Sequence, residues 1–163
     1  MDIKDPNNKV IHNYHLVCLK MLGNIFQTQT GLDFIMEKEP ATQLIQFCEY
    51  SLQSKNPKTV FRAAVVVFNL VLTYKRDFAS INGALESYLK AVIENLGDMT
   101  ESESILAVVL SEVRIIYKNG PLLNCAIENK DKLLQMHNQV RGKTQDSNVK
   151  QVIEDLYQLL GEE

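Results

Sequence analysis

The stretch Pro-Lys-Thr-Val-Phe-Arg-Ala-Ala-Val-Val-Val-Phe-Asn-Leu-Val-Leu-Thr-Tyr, residues 57 to 74, is apolar on nearly every side once wound into a helix, apart from its leading Lys58 and Thr59. Such a helix belongs inside a packed structure, with neighbours on both flanks. Its remaining polar residues, Arg62, Asn69 and Thr73, are seven and four positions apart and share one stripe at 3.6 residues per turn. A polar stripe on a buried helix is a place to look for binding. Asn56 supplies an N-cap, and Pro57 at the first helical position lacks an N–H that would have no intrahelical partner there. Val66 and Phe68, in the middle of the run, are expected in the core.

Helical spacing continues on both sides. Residues 9 to 27 place Val10, Tyr14, Val17, Cys18, Met21 and Leu22 on helical faces, and a Thr-Gln-Thr-Gly turn ends them. Pro40 divides residues 32 to 54 into a short helix and a longer one. After the central helix come a helix from about Ile81 to Leu96, stopped by Gly97, and another opened by Thr100 and Glu103 at capping-box spacing. Residues 121 to 140 read as two helical pieces separated near Glu128 to Asp131, and a polar loop from Arg141 to Asp146 leads to a last helix, Asn148 to Leu160. No segment alternates with period two, so the chain is expected to be all-α.

A repeat runs through these helices. Aligning Leu-Gly-Asn-Ile-Phe (22 to 26), Val-Phe-Asn-Leu-Val (67 to 71), Leu-Ser-Glu-Val-Arg (110 to 114) and Glu-Asp-Leu-Tyr (154 to 157) gives separations of 45, 43 and 43 residues. Periods near 40 to 47 with two or three helices per unit indicate an armadillo or HEAT array, a right-handed helical repeat superhelix. The aligned polar residues, Asn24, Asn69, Glu112 and Asp155, then form a ladder along one face, able to hydrogen-bond the backbone of an extended peptide.

The 163 residues suit one domain, and 45% apolar with 23% charged residues is ordinary for a globular chain. A net charge of -3 argues against a nucleic-acid partner. No apolar run approaches the ~20 residues of a membrane span, and the polar N-terminus is not a signal peptide. Cys18, Cys48 and Cys125 lie among apolar helical neighbours without Cys-x-x-Cys spacing, which reads as buried free thiols in a cytoplasmic or nuclear protein.

The chain resembles the PUL domain, the armadillo-like C-terminal module of the phospholipase-activating protein family. Residues 18 to 26, 55 to 69, 105 to 116 and 148 to 160 carry the likeness. The family has a basic residue followed by Asn-x-Phe, as Lys20 and Asn24-Ile25-Phe26 stand here. It also has an Asn-rich turn before an Ala-rich helix, matched by Asn56 and by Ala63-Ala64 before Asn69. The third helix departs from the pattern at Leu106 and Glu112. The resemblance implies that residues 1 to 163 form the C-terminal portion of a longer PUL domain, roughly four of its six repeats. It also implies an adaptor that binds the acidic, aromatic-ended C-terminal tail of the valosin-containing AAA ATPase and serves ubiquitin-dependent turnover, touching ubiquitin-pathway proteins only indirectly. By position, Lys20, Asn24 and Asn69 are the residues carried over.

The candidate peptide-binding set is Lys20, Asn24, Gln27, Arg62, Asn69, Thr73 and Arg76. Alternatively, Asn24 and Asn69 satisfy backbone groups between neighbouring helices, or the whole groove is filled by another segment of a larger protein. His12, His15 and Cys18 are three apart but lack a fourth zinc ligand nearby, and His137 stands alone in the sequence. No Gly-x-Ser-x-Gly, phosphate loop or His-Glu-x-x-His occurs. The expectation is a noncatalytic protein with no cofactor and no metal.

Overall fold

A computed structural model describes residues 9–37, 40–118 and 120–161, with the side chains of these except 9–12, 120 and 125. The apolar spacing becomes nine α-helices and no strand among the described residues: α1 (Lys9–Ile25), α2 (Gln29–Met36), α3 (Ala41–Leu52), α4 (Pro57–Thr73), α5 (Asn82–Asn95), α6 (Ser102–Lys118), α7 (Gly120–Glu128), α8 (Lys130–Lys143) and α9 (Ser147–Leu159). Local signals place the boundaries. Asn56 Oδ1 accepts from Lys58 N at 3.0 Å to open α4, and Asp146 Oδ1 accepts from Asn148 N at 2.8 Å to open α9. Such caps each stabilise a helix start by about 1 kcal/mol. Two boundaries differ from expectation. Thr28 caps a helix that already begins at Gln29, its Oγ1 accepting from Gly31 N at 3.1 Å, and Arg141 to Lys143 extend α8 instead of forming a loop.

The repeat is visible in the packing. Helices α1, α4, α6 and α9 lie side by side in that order, while α3, α5 and the α7–α8 pair form a second layer behind them. Consecutive helices of the first layer are the ones aligned by the sequence period, so the chain is an all-α helical repeat. Hydrogen bonds tie unit to unit at the repeat distance. Asn69 Nδ2 donates to the Gly23 carbonyl 46 residues earlier, and Ser104 Oγ to that of Pro57, 47 earlier, each at 2.9 Å. Lys143 Nζ donates to the Gly97 carbonyl across 46 residues. The Gly23 and Gly97 carbonyls are acceptors left over at or beside a helix end, whereas that of Pro57, in the first turn of α4, takes the serine hydroxyl as an additional donor.

The central helix is as buried as its composition demands: Ala63, Ala64, Val66, Val67, Leu70 and Val71 are inaccessible to solvent. Phe68 is a correction, since it lies half-buried at the surface. The thiols divide as well. Cys48 is buried, and that burial pushes its pKa far up; Cys18 is exposed, contrary to expectation; the side chain of Cys125 lies outside the described residues. The expected four-residue ladder does not form. Asn24 and Asp155 are exposed, Asn69 is half-buried, and Glu112 is completely buried.

Candidate functional site

One face of the first layer stays open. On α4 it consists of Phe61, Val65, Phe68 and Leu72, spaced i, i+4, i+7, i+11 so that they fall on one stripe, and all are half-buried or exposed. On α6 the same spacing recurs 45 residues later in Leu106, Leu110, Val113 and Tyr117, with Tyr117 68% exposed. Forty-five residues before the α4 stripe, Lys20 of α1 and Gln27 in the turn after it occupy the places of Val65 and Leu72, and both are exposed. An apolar floor runs over α4 and α6, with polar groups at its α1 edge.

Two guanidinium groups lie on the aromatic part of this floor. Arg62 sits 5.1 Å from the centroid of Phe61, and Arg114 of α6 reaches across to within 5.5 Å of the centroid of Phe68 on α4. Stacking leaves the N–H edges of a guanidinium able to take a carboxylate. The Nε of Arg114 is buried and has no hydrogen-bond partner. Arg114 was missed by the sequence alignment because of register. It stands 45 residues after Asn69, the same interval as Asn24 to Asn69, whereas Glu112 stands 43 after it. Two residues turn a helix by about 200°, from the open face to the inside. The tertiary contacts follow the longer interval: Asn69 bonds at Gly23, and Arg114 covers Phe68, which is the residue 45 after Gly23.

The expected site residues therefore have different circumstances. Lys20, Asn24, Gln27 and Arg76 are exposed, and Arg62 is half-buried on Phe61. Asn69 and Thr73 are engaged within the fold. Thr73 Oγ1 lies 2.8 Å from the Phe26 carbonyl and 2.6 Å from that of Asn69, and its single proton serves one of them at a time. Together these two side chains hold the last turn of α1 against α4.

Glu112 has a partner inside. Its Oε2 is 2.8 Å from Nε2 of His137, and Nδ1 of His137 is 2.6 Å from the Leu133 carbonyl; both residues are inaccessible to solvent. A carbonyl only accepts, so Nδ1 carries a proton and Nε2 faces the carboxylate. Burial works against the charged ring, but the Glu112 carboxylate and the two hydrogen bonds outweigh it and hold His137 above its ordinary pKa. The pair ties α6 to α8. His137, solitary in the sequence, is thus part of a buried ion pair.

A cleft of about 330 Å³ lies at another edge, between the end of α3 and the starts of α4 and α6, with Lys55, Asn95, Glu101 and Ser104 among its lining. Its Ser104 hydroxyl is spent on the Pro57 carbonyl. Among the described residues no three His, Cys, Asp or Glu side chains are placed to share a metal ion, and no helix is long and apolar enough to cross a membrane. His15 packs edge-on to Phe47, ring centroids 4.4 Å apart, while the side chain of His12 lies outside the described residues.

The family model of the PUL domain matches residues 2–155. No curated protein and no solved structure matches the chain.

Proposed function

Because this chain belongs to the PUL-domain family, a family of protein-interaction domains, we propose that it is a noncatalytic peptide-binding adaptor. Its ligand is the acidic, aromatic-ended C-terminal tail of the valosin-containing AAA ATPase, and its setting is ubiquitin-dependent turnover in the cytoplasm or nucleus. The observation that carries this reading is Arg114, stacked on Phe68 with a buried and unpartnered Nε, beside the apolar stripes of α4 and α6. A peptide carboxylate takes short, charge-assisted hydrogen bonds from the terminal N–H groups of such a half-buried guanidinium, while the buried Nε stays beneath them. An aromatic side chain of the peptide gains burial on Phe61, Phe68 and Leu72.

Lys20, Arg62 and Arg76 add positive charge around that floor, and Gln27 offers an amide to the peptide backbone. Asn69 and Thr73 act indirectly, by keeping α1 in place. The buried Glu112 contributes no carboxylate to the face, so acidic peptide residues meet no repulsion from it. Calorimetric titration with the synthetic ATPase tail tests the reading. Binding that Arg114→Glu weakens and that Lys132→Glu leaves alone is the expected result. Absence of binding at high micromolar protein overturns it and favours a scaffold whose groove is filled by another segment of a larger protein.

A further inference from the structure

The Glu112 carboxylate is satisfied on one side only. Its Oε2 meets His137, but Oε1 is buried and finds no hydrogen-bond partner among the described residues. A charged oxygen cut off from every donor is costly, and buried polar atoms in folded proteins nearly always have a partner. The Tyr88 hydroxyl of α5, whose ionisation the Glu112 charge opposes, is committed elsewhere. It lies 2.9 Å from Ser111 Oγ, which gives its own proton to the Val108 carbonyl at 2.7 Å, so Tyr88 donates to Ser111.

Glu112 forms part of the wall of a small cavity between α5, α6, α7 and the start of α8, shared with Glu86, Lys90, Ala126 and Asn129. About 10 Å³ of this space is open to the centre of a water molecule, room for a single water and no more. Glu86 and Lys90, paired at 2.7 Å and 40% and 59% exposed, mark its solvent side. Cavities that stay dry are lined by apolar groups, whereas this wall carries a carboxylate oxygen that lacks a donor. The same wall selects the occupant. A metal ion lacks ligands, since no three His, Cys, Asp or Glu side chains among the described residues are placed to share one, and His137 already sits against the Glu112 carboxylate. An anion is repelled by that carboxylate, and an organic group has no space. We propose that the cavity holds one ordered water, which donates a hydrogen bond to Glu112 Oε1 and is a third member of the Glu112–His137 tie between α6 and α8. The polar groups of Glu86, Lys90 and Asn129 provide the setting for its remaining bonds.

A high-resolution crystal structure tests this. The expected result is one density peak that refines as water, about 2.7 to 3.0 Å from Glu112 Oε1. In solution, oxygen-17 magnetic relaxation dispersion counts long-lived internal waters. Ala126→Val, which adds two methyl groups at the cavity wall, should lower that count by one, while Ala79→Val at an exposed site should leave it unchanged. Circular dichroism shows whether the Ala126 variant is folded, and if it is not, the wild-type crystal structure decides alone. An empty cavity, a metal ion in that density, or a protein donor within hydrogen-bond distance of Oε1 overturns the proposal. So does a folded Ala126→Val protein that keeps the wild-type count.

Discussion

Arg114 and Glu112 sit two positions apart on one helix and face opposite environments, one on an open aromatic surface and the other in the core. Arg114→Glu should weaken tail binding by roughly 1 to 3 kcal/mol, the range of a charge-assisted contact, while equal reversals at Lys132 or Lys150 leave titration isotherms unchanged. Glu112→Ala removes the carboxylate that holds His137 charged, so the buried ring gives up its proton and loses one hydrogen bond, which should cost about 1 to 3 kcal/mol in chemical denaturation. The pair also predicts a pH dependence. The folded-state pKa of His137 is raised, so the unfolded chain gives up this proton first as pH rises. Its stabilisation is full below the unfolded value of about 6.5 and is lost as pH rises through the raised folded value. Melting temperature should therefore fall across that alkaline limb, and a His137→Gln variant, already destabilised, should lack the His137 part of the fall.

Helix α4 is where core and open face meet on a single element. Val66 is completely buried, so Val66→Asp should abolish cooperative folding, an unpaired buried carboxylate costing as much as a typical domain's total stability of ~5 to 15 kcal/mol. Phe68 lies on the open stripe beneath Arg114, so Phe68→Asp should give a folded protein by circular dichroism that no longer binds the tail. An equal collapse of both variants contradicts the division. Asn69→Ala removes the bond to Gly23 and should cost about 1 kcal/mol, with faster amide exchange confined to the end of α1.

An array of this kind holds together through neighbour contacts, since each unit buries its apolar side on the next. The centre is therefore steadier than the ends. Native-state hydrogen exchange should show α4 and α6, each flanked on both sides, opening only with global unfolding, while α1 and α9 open by smaller excursions. Uniform protection along the chain would mean that the units do not act as neighbours. From the sequence alone came the all-α class, the division at Pro40, the Asn56-Pro57 start of α4 and the repeat that orders α1, α4, α6 and α9. These follow from helical spacing and local backbone chemistry, which need no knowledge of partners. The open face needed tertiary structure, because its register in α6 differs by two residues from the alignment that pairs polar with polar. A shift of that size leaves the helix and its period intact yet exchanges inside for outside. Only the neighbour that each flank touches decides that Arg114 meets solvent over Phe68 while Glu112 meets His137.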